Sequence, residues 1–270
     1  MEVFYWYWYE VYHSIGTGLE DNFDVENMRK ILSFSYYNMP SNLRTCLLYF
    51  NMFPEDYKVQ KNCLIWMWIA EGFIQCENQG KSLFEIGESY FNELINRSMI
   101  QPRYEMNDMR ILSCRVHDMV LDLISSLSSE ENFISISNDV SHISATQKVR
   151  RLSLQSCKVD DGMHGATVSM QQVRSVVAFS STANLIPALS RFKVVRVLCL
   201  ENCDLSDGYN LTGIGNLVHL RSLGLRSTKI VQLPEEIGNL TSTDAGHLQQ
   251  CNFILAIHNC SAKAVKVPIH

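Results

Sequence analysis

The chain has 270 residues, 46% of them hydrophobic and 19% charged. That is the balance of an ordinary globular protein of one or two domains. Its longest uncharged apolar run, residues 64–70, is far too short to span a bilayer. The net charge of −5 is unevenly spread: residues 1–140 carry −10, residues 141–240 carry +4 and the remainder +1. An acidic first half is a poor nucleic-acid surface.

The nine cysteines include no CxxC pair. Neither a zinc site nor a redox dithiol is indicated, and reduced thiols in the cytosol or nucleus are expected. The opening aromatic run at residues 4–9 has neither a basic leader nor a small-residue cleavage site, so no secretory signal is expected.

Residues 1–140 read as mostly helical. Met28, Ile31, Leu32, Ser35 and Tyr36 fall at helical spacing, and Pro40 stops that helix by removing a donor and restricting Met39. Leu43, Cys46, Leu47 and Phe50 form the next apolar face, ending near Pro54. Residues 62–71 are apolar nearly all round, which predicts a central buried helix with Gly72 as its left-handed cap. Ser82 and Glu85 have capping-box spacing. They precede an amphipathic helix whose face is Leu83, Ile86, Tyr90 and Leu94, with Phe91 and Ile95 beside it.

Two short apolar runs, 99–104 and 110–116, flank a polar turn at 105–108 and predict a β-hairpin. Val120, Leu123, Ile124 and Leu127 then mark another helix. Helices followed by a hairpin describe a winged-helix unit.

From residue 149 the period changes. Residues 149–157 and 195–203 fit the pattern LxxLxLxxN/C, residues 220–228 fit it with Thr228 in the last slot, and 173–178 is a degenerate copy. The middle positions 152, 176, 198 and 223 lie 24, 22 and 25 residues apart, within the range of leucine-rich repeats. The tetrapeptide IGNL recurs at 214–217 and 237–240. Each unit supplies a short strand, and stacking buries its leucines. After Leu240 the pattern fails. Residues 254–257 offer one further strand, but no cap for the open end is expected.

Three stretches carry a family resemblance. LRTCLLYFNMFPED at 43–56 and LIWMWIAEGFI at 64–74 are followed by CRVHDMVLDL at 114–123 and then by the repeats. Their order resembles the end of the nucleotide-binding module of plant disease-resistance proteins of the coiled-coil branch, where it joins the leucine-rich repeats. WYEVY at 8–12 resembles the segment after the preceding helical subdomain.

The resemblance implies an α+β multidomain architecture, with a mainly helical winged-helix domain followed by a short α/β leucine-rich-repeat solenoid. The expected divisions are 1–25, a remnant of a helical subdomain; 26–140, the winged helix; 141–240, the repeats; and 241–270, an atypical tail. A truncated product is expected.

By the same resemblance His117, with Val116 and Asp118 supporting it, touches a bound ADP and holds a switch closed. An imidazole can donate to a phosphate oxygen at a helix N-terminus. On the residues alone, His117 or Asp118 would simply cap the next helix.

ADP and ATP are the nucleotides of the intact family. No cofactor is expected on this chain alone, because it carries no phosphate-binding loop. Gly80-Lys81-Ser82 imitates the end of one, but Gln75 stands where its first glycine belongs and no apolar strand precedes it. Asp122 imitates a metal-binding strand end but has helical flanks. No metal site and no catalytic constellation stand out.

The expected role is therefore non-enzymatic, cytoplasmic and regulatory. It works through protein partners on the repeats: a pathogen effector, a guarded host protein or a full-length receptor, with no nucleic acid and no membrane span. The alternative is a leucine-rich-repeat substrate adaptor for ubiquitin ligation. That would need an N-terminal helical box, which the tryptophan-rich 64–74 segment fits poorly.

Overall fold

A computed structural model describes residues 22–75, 80–104, 110–137, 148–155, 170–179, 188–203, 205, 211–228, 234–241 and 254–256. The aromatic run at 4–9, the WYEVY segment, the turn at 105–108, Cys157 and most of the stretch after Thr241 lie outside these. The chain divides into two compact units at the Met39–Pro40 bond.

The first unit contains helix α1 (Asn22–Tyr37). Met28, Leu32 and Tyr36, four residues apart, are its buried stripe. Ile31, expected on that face, is instead 44% exposed beside Phe34 and Tyr37. The stripe is one residue wide, and Ile31 falls on its flank.

In the second unit, Pro40 precedes α2 (Ser41–Leu48), which runs into a 3-10 turn over Tyr49–Met52. Leu43, Cys46, Leu47 and Phe50 are all buried, as their spacing predicts. Helix α3 (Lys61–Glu71) is the most apolar segment, and Leu64, Ile65, Met67, Trp68, Ile69 and Ala70 are buried along it. Trp66 lies half-buried against Phe84, with ring centroids 5.0 Å apart. Gly72 ends the helix at φ +84°, and the amides of Gly72 and Phe73 both return to the Trp68 carbonyl.

Helix α4 (Leu83–Asn96) starts with the predicted capping box. Ser82 Oγ accepts from the Glu85 amide at 3.2 Å, and Glu85 Oε2 accepts from the Ser82 amide at 2.7 Å. It crosses α3 at Gly87, where a Cβ would meet Ile65 Cγ2 at 2.5 Å and Ile74 Cδ1 at 2.8 Å.

The hairpin is β2 (Gln101–Tyr104) with β3 (Ile111–Arg115), antiparallel. The two-residue strand β1 (Val59–Gln60), unforeseen in the sequence, pairs with the other edge of β3. Helix α5 (Asp118–Glu130) buries Val120, Leu123, Ile124 and Leu127.

A second sheet follows, six strands all parallel and in sequence order. Its strands are β4 (Ser135–Ser137), β5 (Arg151–Leu154), β6 (Ser175–Ala178), β7 (Val197–Cys199), β8 (Ser222–Gly224) and β9 (Ile254–Ala256). Strands β5 to β8 are the four predicted copies, and their register pairs Leu152, Val176, Leu198 and Leu223 side by side. The pattern leucines and valines on one side of these strands form one buried cluster with Ile214, Leu217, Ile237 and Leu240 of the IGNL turns.

One strand differs from expectation and one follows it. Strand β4 precedes the change of hydrophobic period at residue 149 and still pairs with β5. Beyond Leu240, β9 falls within the stretch 254–257 read from the sequence as one further strand, and it continues the sheet with Leu255 opposite Leu223. Leu223 to Leu255 is a step of 32 residues, well outside the regular interval, so repeat spacing did not reveal it.

Candidate functional site

Strand β3 leads into α5 through Val116 and His117. Cys114 and Val116 are buried, and Arg115 and His117 are half-buried. Arg115 is held at this end of the hairpin, its Nε 3.1 Å from Gln101 Oε1 and its Nη1 3.4 Å from Asp56 Oδ1. Val116 anchors the junction, and His117 makes the turn with extended backbone at φ −74°, ψ 144°.

His117 is then the N-cap residue of α5. Its Nδ1 accepts from the Met119 amide at 3.3 Å, and its carbonyl accepts from the Val120 and Leu121 amides, each at 2.9 Å. The cap bond occupies the lone pair of Nδ1, so the neutral ring carries its hydrogen on Nε2. Asp118 is exposed in the first turn of α5, where a carboxylate is favoured by the helix dipole.

The capping reading and the ligand reading of the tripeptide are therefore compatible. Nδ1 serves the helix, and Nε2 is the atom with the chemistry to donate to an anionic oxygen. Ser82, the last residue of the imitation phosphate loop, is a helix cap, and Asp122 is an exposed helix residue. Among the described residues, no group of three or more His, Cys, Asp or Glu side chains is placed to hold a metal ion.

A second constellation escaped the sequence reading. The side of β5–β8 opposite the leucines is also buried, against α3 and the Tyr49–Met52 turn. Small residues line it: Ser153, Ser175, Val177, Cys199, Ser222 and Gly224. Ser153 Oγ donates to the Met52 carbonyl at 2.7 Å.

At the end of α3, Glu71 receives both Nε and Nη2 of Arg151, at 3.2 and 3.1 Å, and the Ser175 hydroxyl. The Tyr49 hydroxyl lies 3.3 Å from Ser175 Oγ, and burial pushes its pKa far above the usual phenol range. The Arg151 guanidinium sits between two rings, 4.1 Å from the Phe133 centroid and 5.0 Å from that of Phe73.

One signal for part of this was in the sequence. Each repeat copy has arginine in its second position: Arg150, Arg174, Arg196 and Arg221. The register sets these side by side, one residue ahead of the strands. Arg196 has its pKa lowered by desolvation and by its neighbours Arg221 and Arg174, and it donates to the Glu71 carbonyl at 3.2 Å.

The two lobes joined here match two family models. The Disease resistance protein Winged helix domain covers residues 52–124 and includes His117; a Leucine-rich repeat region covers 172–252. The chain is similar to plant disease-resistance proteins. It is 34% identical over 235 residues to Disease resistance protein Pik-2 of Oryza sativa subsp. japonica, covering 86% of this chain and 23% of that protein. It is 32% identical over 228 residues to Disease resistance protein RGA4 of the same rice, covering 84% and 22%. To Probable disease resistance RPP8-like protein 2 of Arabidopsis thaliana it is 32% identical over 240 residues, covering 85% and 26%. The chain thus spans about a quarter of the length of these disease-resistance relatives. Among the described residues, no helix is long and apolar enough to cross a membrane.

Proposed function

We propose that this chain is the regulatory and protein-interaction part of a cytoplasmic plant immune receptor, without catalytic activity of its own. Its parallel sheet is read as the start of a leucine-rich-repeat solenoid, and its winged helix as the element that senses the bound nucleotide. His117 is the contact. Val116 fixes its backbone, Asp118 adds charge to the first turn, and Nε2 donates to a phosphate of ADP held by a phosphate loop outside this chain. The observation that carries the reading is the match of residues 52–124 to the disease-resistance winged helix, with His117 at a strand-to-helix junction.

The repeats serve protein partners: an effector, a guarded host protein or a full-length receptor. The row of arginines ahead of β5–β8 supports contact with acidic side chains, for which guanidinium is well suited. The acidic balance of the winged helix disfavours nucleic acid. Residues 80–128 hold five basic groups against seven acidic ones, a poor footprint for phosphate backbones.

The nucleotide role has a quantitative consequence. One charged hydrogen bond contributes about 1.5–3 kcal/mol, short of the roughly 4.1 kcal/mol that corresponds to 1 mM. Calorimetry on the isolated chain is expected to show ADP binding no tighter than millimolar, and micromolar affinity would overturn the single-contact reading.

The switch itself is tested by exchanging residues 52–124 into a full-length rice relative. The exchanged receptor should retain ADP on purification and stay quiet in leaf tissue. Adding His117→Ala should lower ADP retention and trigger cell death without a pathogen. Unchanged retention would remove His117 from the nucleotide site.

A further inference from the structure

Strands of a parallel sheet bury their leucine side by stacking; the opposite side needs a second layer or is left to water. Here the second layer is the chain's own winged helix. Helix α3 lies against β7 and β8, and the Tyr49–Met52 turn lies against β5. Phe53 and Tyr57 close one margin on Phe179, with ring centroids 6.2 and 4.9 Å away. On the sheet side the contact is made mostly of small side chains, and among the described residues one buried ion pair, Glu71 with Arg151, lies inside it.

That pair is unusual in how fully it is satisfied. Glu71 has a wholly buried side chain, and that of Arg151 is 9% exposed. The carboxylate takes three donors from two different strands, Arg151 on β5 and Ser175 on β6. Its own carbonyl takes a fourth from Arg196, just ahead of β7. The guanidinium also donates to the Phe133 carbonyl at 3.3 Å and lies against two aromatic faces. Removing either partner strands a buried charge, and the lobes must part to rehydrate it.

We propose that Glu71 is the fastening residue that joins the winged helix to the repeats, making the two lobes one mechanical unit. The strand face of β5–β8 is then a closed surface whose occupant is this chain's own α3. A partner of the first repeats binds their loops or arginine row, and not this face. The inference does not depend on the nucleotide role of His117.

Native-state thiol labelling of the full chain, read by mass spectrometry for each cysteine, tests it. Cys199 lies buried on the fastened face, while Cys46 and Cys114 lie in the winged-helix core and Cys203 among the repeat leucines. In Glu71→Ala and in Arg151→Ala, labelling of Cys199 should rise on the order of a hundredfold. Cys46, Cys114 and Cys203 should stay at their original rates. The double replacement Glu71→Met with Arg151→Met leaves no stranded charge and should restore protection of Cys199.

Unchanged labelling of Cys199 in both single variants would show that the pair fastens nothing. A parallel rise at all four cysteines would show a general loss of folding, and would equally overturn the assignment of Glu71 to the joint between the lobes.

Discussion

Glu201 shows how a single side chain can act against the fold that buries it. It follows β7, is 6% exposed, and has one carboxylate oxygen, Oε1, with no hydrogen-bond partner. Desolvation raises its pKa above the ordinary 4.5, with Arg226 and a bond from the Cys63 thiol pulling the other way. A raised folded-state pKa favours the protonated form. The stability it contributes is present below the unfolded value and is lost as pH rises through the folded one. Glu201→Gln should therefore be more stable than the parent near neutral pH, and the gap should close as pH falls to about 4.5. Urea midpoints across that range measure it, and a gap independent of pH would contradict burial as the cause. Residues of this kind were invisible in the sequence. Gly72, Ser82 and His117 were legible because caps depend on a few adjacent residues. Glu71, Arg151 and Glu201 act on partners far along the chain, Arg151 being 80 positions from Glu71, and no local pattern encodes that.

At the scale of elements, α3 is the clearest case of a sequence signal that carries through to packing. A helix apolar on every side has to be covered on every side, and α3 meets α4 on one flank and strands β7 and β8 on another. Trp68 is fully buried at its centre, edge-on to Phe50 at 6.1 Å. Trp68→Ala should cost about 3–5 kcal/mol, a large part of the stability of a small domain. The indole Nε1 of Trp68 has no partner, so Trp68→Phe keeps most of the packing while deleting an unsatisfied donor. It should cost clearly less than the alanine variant in the same denaturation experiment; equal costs would mean that volume is not what Trp68 supplies. At the α3–α4 crossing, Gly87→Ala forces Ile65 and Ile74 aside and should cost about 1–3 kcal/mol by overpacking. A neutral result in thermal unfolding would show that the crossing can relax. The elements that went unread, β1 and β4, are two and three residues long. Strands that short have no period of their own; pairing with a neighbour makes them strands.

The whole molecule raises the question of where the sheet ends. Its leucine layer closes at one end on Leu225, Ile237 and Leu240, all buried. Repetition of the motif stops there, which predicts an uncovered edge on β8. The backbone answers differently: Ser222, Leu223 and Gly224 pair with Ile254, Leu255 and Ala256 of β9. An exposed parallel strand presents unpaired amides and carbonyls to any other chain, and a repeat array needs its terminal face covered. Ending the chain after Leu240 removes β9 and leaves the β8 edge open. The shortened protein should self-associate with rising concentration in sedimentation velocity, while the 270-residue chain stays monomeric at the same concentrations. If the shortened chain remains monomeric throughout, β9 is not what protects the edge. If both chains associate alike, the edge is open in each, and the pairing of Leu223 with Leu255 does not persist in solution.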